Sequence, residues 1–411
     1  MPIAHASPAR PRPGRAAALA FAALALAAVP GRAAGTYDPG ASDSVIKIGN
    51  TMPYSGPASV ISLIGVGMDA YFRQVNDTGG VNGRRIDFIS LDDSYSPPRT
   101  VEQTRRLVEE DGVLLVFGAL GTPTNAAVRP YLNARKVPQL FITTGALIGD
   151  DPQHFPWTMG FLPNYRAEGR VYARYILAEH PQARIGILYQ NDDFGRDYLS
   201  GFLPALGERA KTMVSKQVSY EVTDPSLASQ AISLRESGAD TVFLATQGKA
   251  AAQAIRAVRE QGWNPLVFLP TVATSINILN GAGLTNATGI ISSTTEKAPA
   301  DPSWAGDPAS RAFLAWMKTY LPRADPTDSS YATGYTAAQA LVEVLKRCGD
   351  TLTRANVLKQ ATNLRGVTLP LLLPGITINT SPTDYNALSQ LQLERFDGRK
   401  WVLFGQPMTA R

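Results

Sequence analysis

Few side chains in this chain could support catalysis. There are three histidines (His5, His154 and His180) and one cysteine, Cys348. His154 and His180 lie near prolines and share no metal-ligand spacing. A Ser/His/Asp hydrolase would need a Gly-x-Ser-x-Gly elbow, and the chain contains none. The acid pairs Asp92-Asp93, Glu109-Glu110 and Asp192-Asp193 are sequence neighbours and read as solvated loop or cap residues, not a catalytic dyad. No enzyme activity, cofactor or metal is therefore expected. The sequence does contain hydrogen-bond donors in short loops. Tyr54-Ser55-Gly-Pro57, Gly118 to Thr124 and Thr143 to Ala146 combine hydroxyls with glycine backbone, the donors that hold a carboxylate.

Gly65-Val-Gly67-Met-Asp-Ala70 mimics a dinucleotide fingerprint, and Asp92 falls where a ribose-binding acid would sit. An NAD-dependent enzyme is the alternative this pair suggests. The fingerprint glycines must form the turn directly after the first strand, so that the helix N-terminus meets the pyrophosphate. Here Gly65 lies inside the helical pattern that follows, which weighs against cofactor binding.

The elements that would position these loops alternate. Val45–Gly49 reads as a buried strand. Ile61, Ile64, Met68, Tyr71, Phe72 and Val75 then form one helical face, ended by Gly79-Gly80. Ile86–Leu91 is a second strand and Val101–Glu110 a surface helix. Val113–Phe117 and Gln139–Ile142 are a third and fourth strand. In a parallel sheet, ligands sit beyond the carboxyl ends of the strands, which places the Tyr54–Pro57 loop beside a ligand. The pattern resets after Met159. A helix from about Tyr165 to His180 leads into strands at Ile185–Tyr189, Met213–Val218, Thr241–Ala245 and Leu266–Leu269. The helices between these strands are one running to about Ala210, Leu227–Ser237 and Ala250–Gln261. Two such sets argue two doubly wound lobes, with an eight-unit barrel as the rival. Helices at Arg311–Tyr320, Tyr331–Arg347 and Thr353–Thr362 follow. The chain closes on a hairpin, Leu391–Phe396 and Lys400–Phe404 around Asp397-Gly398. This tail is too small for a usual domain and is expected to complete the two lobes.

The chain has 411 residues, is 44% hydrophobic and carries a formal charge of +5. Arg10, Arg12, Arg15 and Arg32 account for most of that charge, and residues 1–35 contain no acid. What remains is nearly neutral, so nucleic-acid or membrane-surface binding has little support. Residues 1–35 combine an arginine-bearing start, an apolar run from Ala16 to Val29 and small residues around Gly35, the parts of a signal peptide. The apolar run is shorter than the roughly 20 residues that span a bilayer. Cys348 is far from the signal, so neither a lipid anchor at the cleavage point nor an internal disulfide is expected, and it reads as a small buried apolar residue.

Taken together, Val45-Ile-Lys-Ile-Gly49, Ser55-Gly56-Pro57, Asn76-x-x-Gly-Gly-Val-Asn-Gly-Arg84, Asp92-Asp93, Asp192-Asp193-Phe194-Gly195 and the terminal Asp-Gly hairpin resemble the periplasmic solute-binding proteins of branched-chain amino-acid-type ABC importers. The resemblance covers nearly all of the chain after residue 44. It implies an α/β, type I periplasmic binding protein fold: two doubly wound parallel-sheet lobes joined by three hinge crossovers. Lobe 1 would take residues 44–160 plus about 292–367, and lobe 2 residues 161–291 plus about 368–411. It implies a periplasmic, non-enzymatic receptor, monomeric and not membrane-embedded, that delivers a small carboxylate to the permease subunits of an ABC importer.

Matched by position, the carboxylate would be held at Thr122 and Thr124 and at Gly145 and Ala146, with Tyr165, Phe194, Gln247 and Val272 lining the second lobe's side. Branched-chain binders of this family carry an acid near the position matched to Val272, where it pairs with the ligand's ammonium. Here the segment is Pro270-Thr-Val-Ala273. An uncompensated buried ammonium costs several kcal/mol. The reading is therefore of a carboxylate without an ammonium group, aromatic acids included, with Tyr54, Tyr165 and Phe194 as stacking candidates. The alternatives are an amino acid whose ammonium meets Glu296 or Asp193, or a shifted match.

Overall fold

The computed structural model describes residues 35–409. The export signal expected over 1–35 thus lies, apart from Gly35, outside the described residues. Two sheets dominate. The first joins β1 (Val45–Met52), β2 (Arg85–Asp92), β3 (Leu115–Phe117), β4 (Gln139–Ile142) and β5 (Thr158–Gly160) in the order β2-β1-β3-β4-β5, all parallel. Ile46, Ile48, Leu115 and Leu140 are fully buried, as expected of parallel strands covered on both faces by helices.

The second sheet holds β6 (Ile185–Gln190), β7 (Val214–Tyr220), β8 (Thr241–Ala245), β9 (Leu266–Phe268), β10 (Ile291–Thr294), β11 (Gln390–Phe396) and β12 (Trp401–Thr409). Their order is β12-β11-β10-β9-β8-β6-β7, parallel except for β11, which pairs antiparallel with both β10 and β12. Two open sheets replace the eight-unit barrel. β10 stands in this sheet, across the expected lobe boundary at residue 292.

Six helices follow the anticipated alternation, α1 (Leu63–Asp77), α2 (Pro97–Glu109), α4 (Tyr165–Glu179), α5 (Asp193–Leu206), α6 (Ala228–Glu236) and α7 (Gly248–Arg259), while α3 (Thr122–Ala134) and α8 (Ile276–Ala282) stand where no helix was anticipated. After β10 come α9 (Pro308–Tyr320), α10 (Ser329–Cys348) and α11 (Arg354–Ala361). α10 packs along α1. The chain then returns to the second sheet for β11 and β12, so it passes between the sheets three times.

The α1–α10 contact explains the false dinucleotide fingerprint. A Cβ at Gly334 would lie 2.1 Å from the Ile64 carbonyl oxygen, and one at Gly67 would lie 2.7 Å from that of Tyr331. Gly67 serves helix packing. The Asn76–Arg84 segment is structural too. The Asn76 side chain accepts from Ile86 N (2.7 Å) and donates to Ile86 O (2.8 Å), while the buried Arg84 donates to Asp350 at 2.7 Å. Cys348 is buried inside α10.

Candidate functional site

A cleft opens between the strand ends of the two sheets, with about 1080 Å³ of empty space, open solvent at its mouth included. Its first wall is built by β3 and β4. Beyond β3, the Gly121 N–H donates to the Thr143 carbonyl (3.2 Å), and the chain turns directly into α3. Thr122 and Pro123 occupy the first turn, where proline loses no intrahelical bond and no side chain caps the free N–H groups. The Thr122 hydroxyl, 1% exposed, lies 2.7 Å from that of Thr144, which lies 3.5 Å from the Tyr165 hydroxyl. A chain of hydroxyls at a helix N-terminus suits an anion.

Of the ten residues matched from the sequence, Thr122, Tyr165, Gln247 and Val272 line the cleft. The other six sit elsewhere. Tyr54 turns its hydroxyl to Ser90 (2.7 Å), and Ser55 is held by Asp92 through its N–H (3.1 Å) and its hydroxyl (2.6 Å). Asp92 and Asp93 are therefore loop-capping acids, Asp93 accepting from Tyr95 N and Thr100. Thr124 bonds back to the Leu120 carbonyl inside α3. Gly145 and Ala146 support the wall from behind. The Gly145 carbonyl accepts from Tyr165 N, and the Ala146 N–H donates to the Thr144 hydroxyl. Phe194 is fully buried edge-on behind Tyr165, 5.2 Å between centroids, while Tyr198 stacks on the same ring at 4.5 Å. Asp193, the alternative counter-charge, is an exposed residue in the first turn of α5.

Gln247, at the end of β8, ties the two halves together. Its amide donates to the Tyr95 hydroxyl at 2.5 Å, and the Lys249 N–H donates to the Pro57 carbonyl at 3.1 Å. So the Tyr54–Pro57 loop touches the opposite half through Pro57, not through its tyrosine.

Val272 lines the cleft in a turn at residues 271–273, and no acid stands there. Two acids stand elsewhere in the wall. Glu296, just past β10, accepts a 2.7 Å bond from Thr333, and burial pushes its carboxyl up to about 7 despite hydrogen bonds from Thr333 and Thr336. Glu394, on β11, is 6% exposed, and burial followed by repulsion from Glu168 pushes it up to about 8. Glu168 lies just beneath, fully buried, accepting from Tyr172, Tyr198, Ser293 and Thr271 N. Lys297 also faces the cleft, but its ammonium is held by Asp307 (2.9 Å) and the Pro370 carbonyl.

Glu394 escaped the sequence reading because it lies inside a hairpin recognised only by its turn. Its signal was burial on both faces: Leu391 and Leu393 fill one side, and Phe396 shares the other with Glu394.

A family model described as a periplasmic binding protein matches residues 45–397. A Leu/Ile/Val-binding protein homologue of Brucella abortus is 25% identical over 252 residues. That alignment takes in 59% of this chain and only 63% of the relative. A solved branched-chain amino acid ABC transporter protein from Thermus thermophilus, with bound valine, superposes with a TM-score of 0.79 at 16% identity over 89% of this chain and 97% of that one. A fatty acid ABC transporter substrate-binding protein from Thermomonospora curvata gives 0.77 at 19% identity, over 91% and 95%. Among the described residues, no helix is long and apolar enough to cross a membrane.

Proposed function

The chain belongs to the periplasmic binding protein family, and from that premise we propose that it is the extracytoplasmic receptor of an ABC importer, capturing a small amino-acid-like carboxylate and presenting it to the permease. The observation that carries this reading is one cleft lined both by Thr122 at the start of α3 and Tyr165, whose hydroxyls are linked through Thr144 behind them, and by the carboxyls Glu296 and Glu394. The hydroxyls and the free N–H groups of α3 take the carboxylate. Glu296 takes the ammonium.

The case for a ligand without an ammonium rests on the missing acid at Val272, which the turn still lacks; Glu296 and Glu394 offer carboxyls elsewhere in the wall that can meet an ammonium. One observation still favours such an acid as a second reading. With carboxyls raised to about 7 and about 8, the cleft holds partly protonated groups at neutral pH that can donate to an anion. The relatives are named for branched-chain amino acids and for fatty acids, which span both readings.

We read the three passages between the sheets as hinges and the sheets with their helices as two lobes, β10 moving with the second. Closure brings Gln247 onto Tyr95 and α7 onto Pro57. The test is a thermal-shift panel of aliphatic amino acids, benzoate-type acids and aliphatic acids. Ligand at 100 times its Kd adds about 2.7 kcal/mol of stability. Amino acids should raise the melting temperature; a rise confined to acids without an ammonium favours the second reading, and no response to any probe overturns both.

A further inference from the structure

Glu394 differs from every other buried carboxyl around the cleft. Glu168 is satisfied by three hydroxyls and a backbone N–H, and Glu296 accepts from Thr333. The Glu394 residue is 94% withdrawn from solvent, lines the cleft, and among the described residues no hydrogen bond or ion pair reaches its carboxyl; only burial and Glu168 act on it. Its unmet hydrogen-bonding capacity therefore opens onto the cleft, available to whatever enters that space.

Its surroundings indicate what that is. Glu394 lies on the wall between the main cleft and a second cavity of about 720 Å³, open solvent included; the two share Glu296, Ala298, Glu394 and Trp401. The charges here are lopsided. Glu296 and Glu394 face the space, with Glu168 close enough to repel Glu394. Both neighbouring lysines are engaged: Lys297 with Asp307, and Lys400 with Asp301 at 2.9 Å. Trp401 completes the wall, its indole fixed by a 3.0 Å bond from Nε1 to the Thr274 carbonyl. Indole is the strongest side-chain partner for a cation over its face.

We propose that the Glu394–Trp401 end of the cleft is a distal subsite for a cationic group of the ligand, an ammonium or guanidinium several atoms removed from its carboxylate. This rests on the proposed carboxylate site at Thr122 and narrows the ligand class to amino acids or related acids with a basic side chain. The cation would meet Glu394, ionise it, and offset the clustered negative charge.

Matched pairs test it. L-lysine and L-norleucine differ only in the distal ammonium, as do 6-aminohexanoate and hexanoate. In calorimetric titrations of the unaltered protein, the ammonium-bearing member of each pair should bind at least about tenfold more tightly, the factor of one good charged contact. Glu394→Gln should close most of that gap. Equal affinity within both pairs, or a preference for norleucine and hexanoate, overturns the distal subsite while leaving the carboxylate site standing. A gap that survives intact in Glu394→Gln assigns the cation elsewhere and also overturns it. Absence of binding by all four removes both.

Discussion

The hydroxyls of Thr122 and Thr144 lie 2.7 Å apart, one in the first turn of α3 and the other just past β4, so two strand ends of one sheet converge on a single point. Neither side chain alone would make an anion site. Their convergence at uncapped helical N–H groups is the geometry of the proposed anion site. Thr122→Val should keep the packing and remove one donor, weakening carboxylate binding by about 1–3 kcal/mol. Titration calorimetry with whichever carboxylate binds the unaltered protein checks this, and undiminished affinity removes Thr122 from the site.

The raised carboxyls give stability a definite pH dependence. Glu296 has an ordinary value of 4.5 and titrates in the fold at about 7. Below pH 4.5 it is protonated in both states and nothing is lost. Between about 4.5 and 7 the unfolded chain ionises first, so its contribution to stability is lost as pH rises. Glu296→Gln should therefore gain on the unaltered protein between pH 5 and pH 8, by roughly 3 kcal/mol at most. Urea melts at the two pH values measure it. A gain that does not grow with pH would mean Glu296 ionises normally in the fold.

Closure can be weakened without touching the cleft's chemistry. Tyr95→Phe removes the hydroxyl that accepts from Gln247, leaving only the longer 3.5 Å approach to Gln190. The expected result is a larger radius of gyration by small-angle scattering in the presence of ligand, and an affinity lower by about tenfold, the scale of one buried hydrogen bond. Unchanged scattering and affinity would separate this bond from closure.

Gly334 sets how closely α10 lies on α1. Gly334→Ala forces a methyl toward the Ile64 carbonyl at 2.1 Å, and the helices must separate. We expect a loss of about 1–3 kcal/mol, the usual cost of overpacking, read from a lowered melting temperature.

Periodicity and turn chemistry carried most of the fold into the sequence. β4 and β8 fall at the residues anticipated, and α4 ends one residue early, at Glu179. Elements with mixed signals were illegible. α3 begins Thr-Pro-Thr and contains Pro130, which reads as a loop. β5 and β10 are short and rich in small or hydroxyl residues, so only the neighbouring strands define them. At the site, residues on the strand ends of the alternating pattern, such as Thr122 and Gln247, were reachable by position. Glu394 was not, because it comes from a hairpin that joins the second sheet only after the chain has returned from the first. Phe194 and Thr124 looked like wall residues because sequence position does not reveal which way a side chain points at the start of a helix.

Under the proposed function, carboxyls of the cleft wall receive the ligand's positive charge. L-leucine and 4-methylpentanoate share a carbon skeleton and a carboxylate and differ in the α-ammonium alone, so calorimetric titration of the pair isolates that group. Leucine should bind at least about tenfold more tightly, with Glu296→Gln narrowing the difference. Equal or tighter binding of 4-methylpentanoate would contradict the account and return the cleft to organic acids without an ammonium.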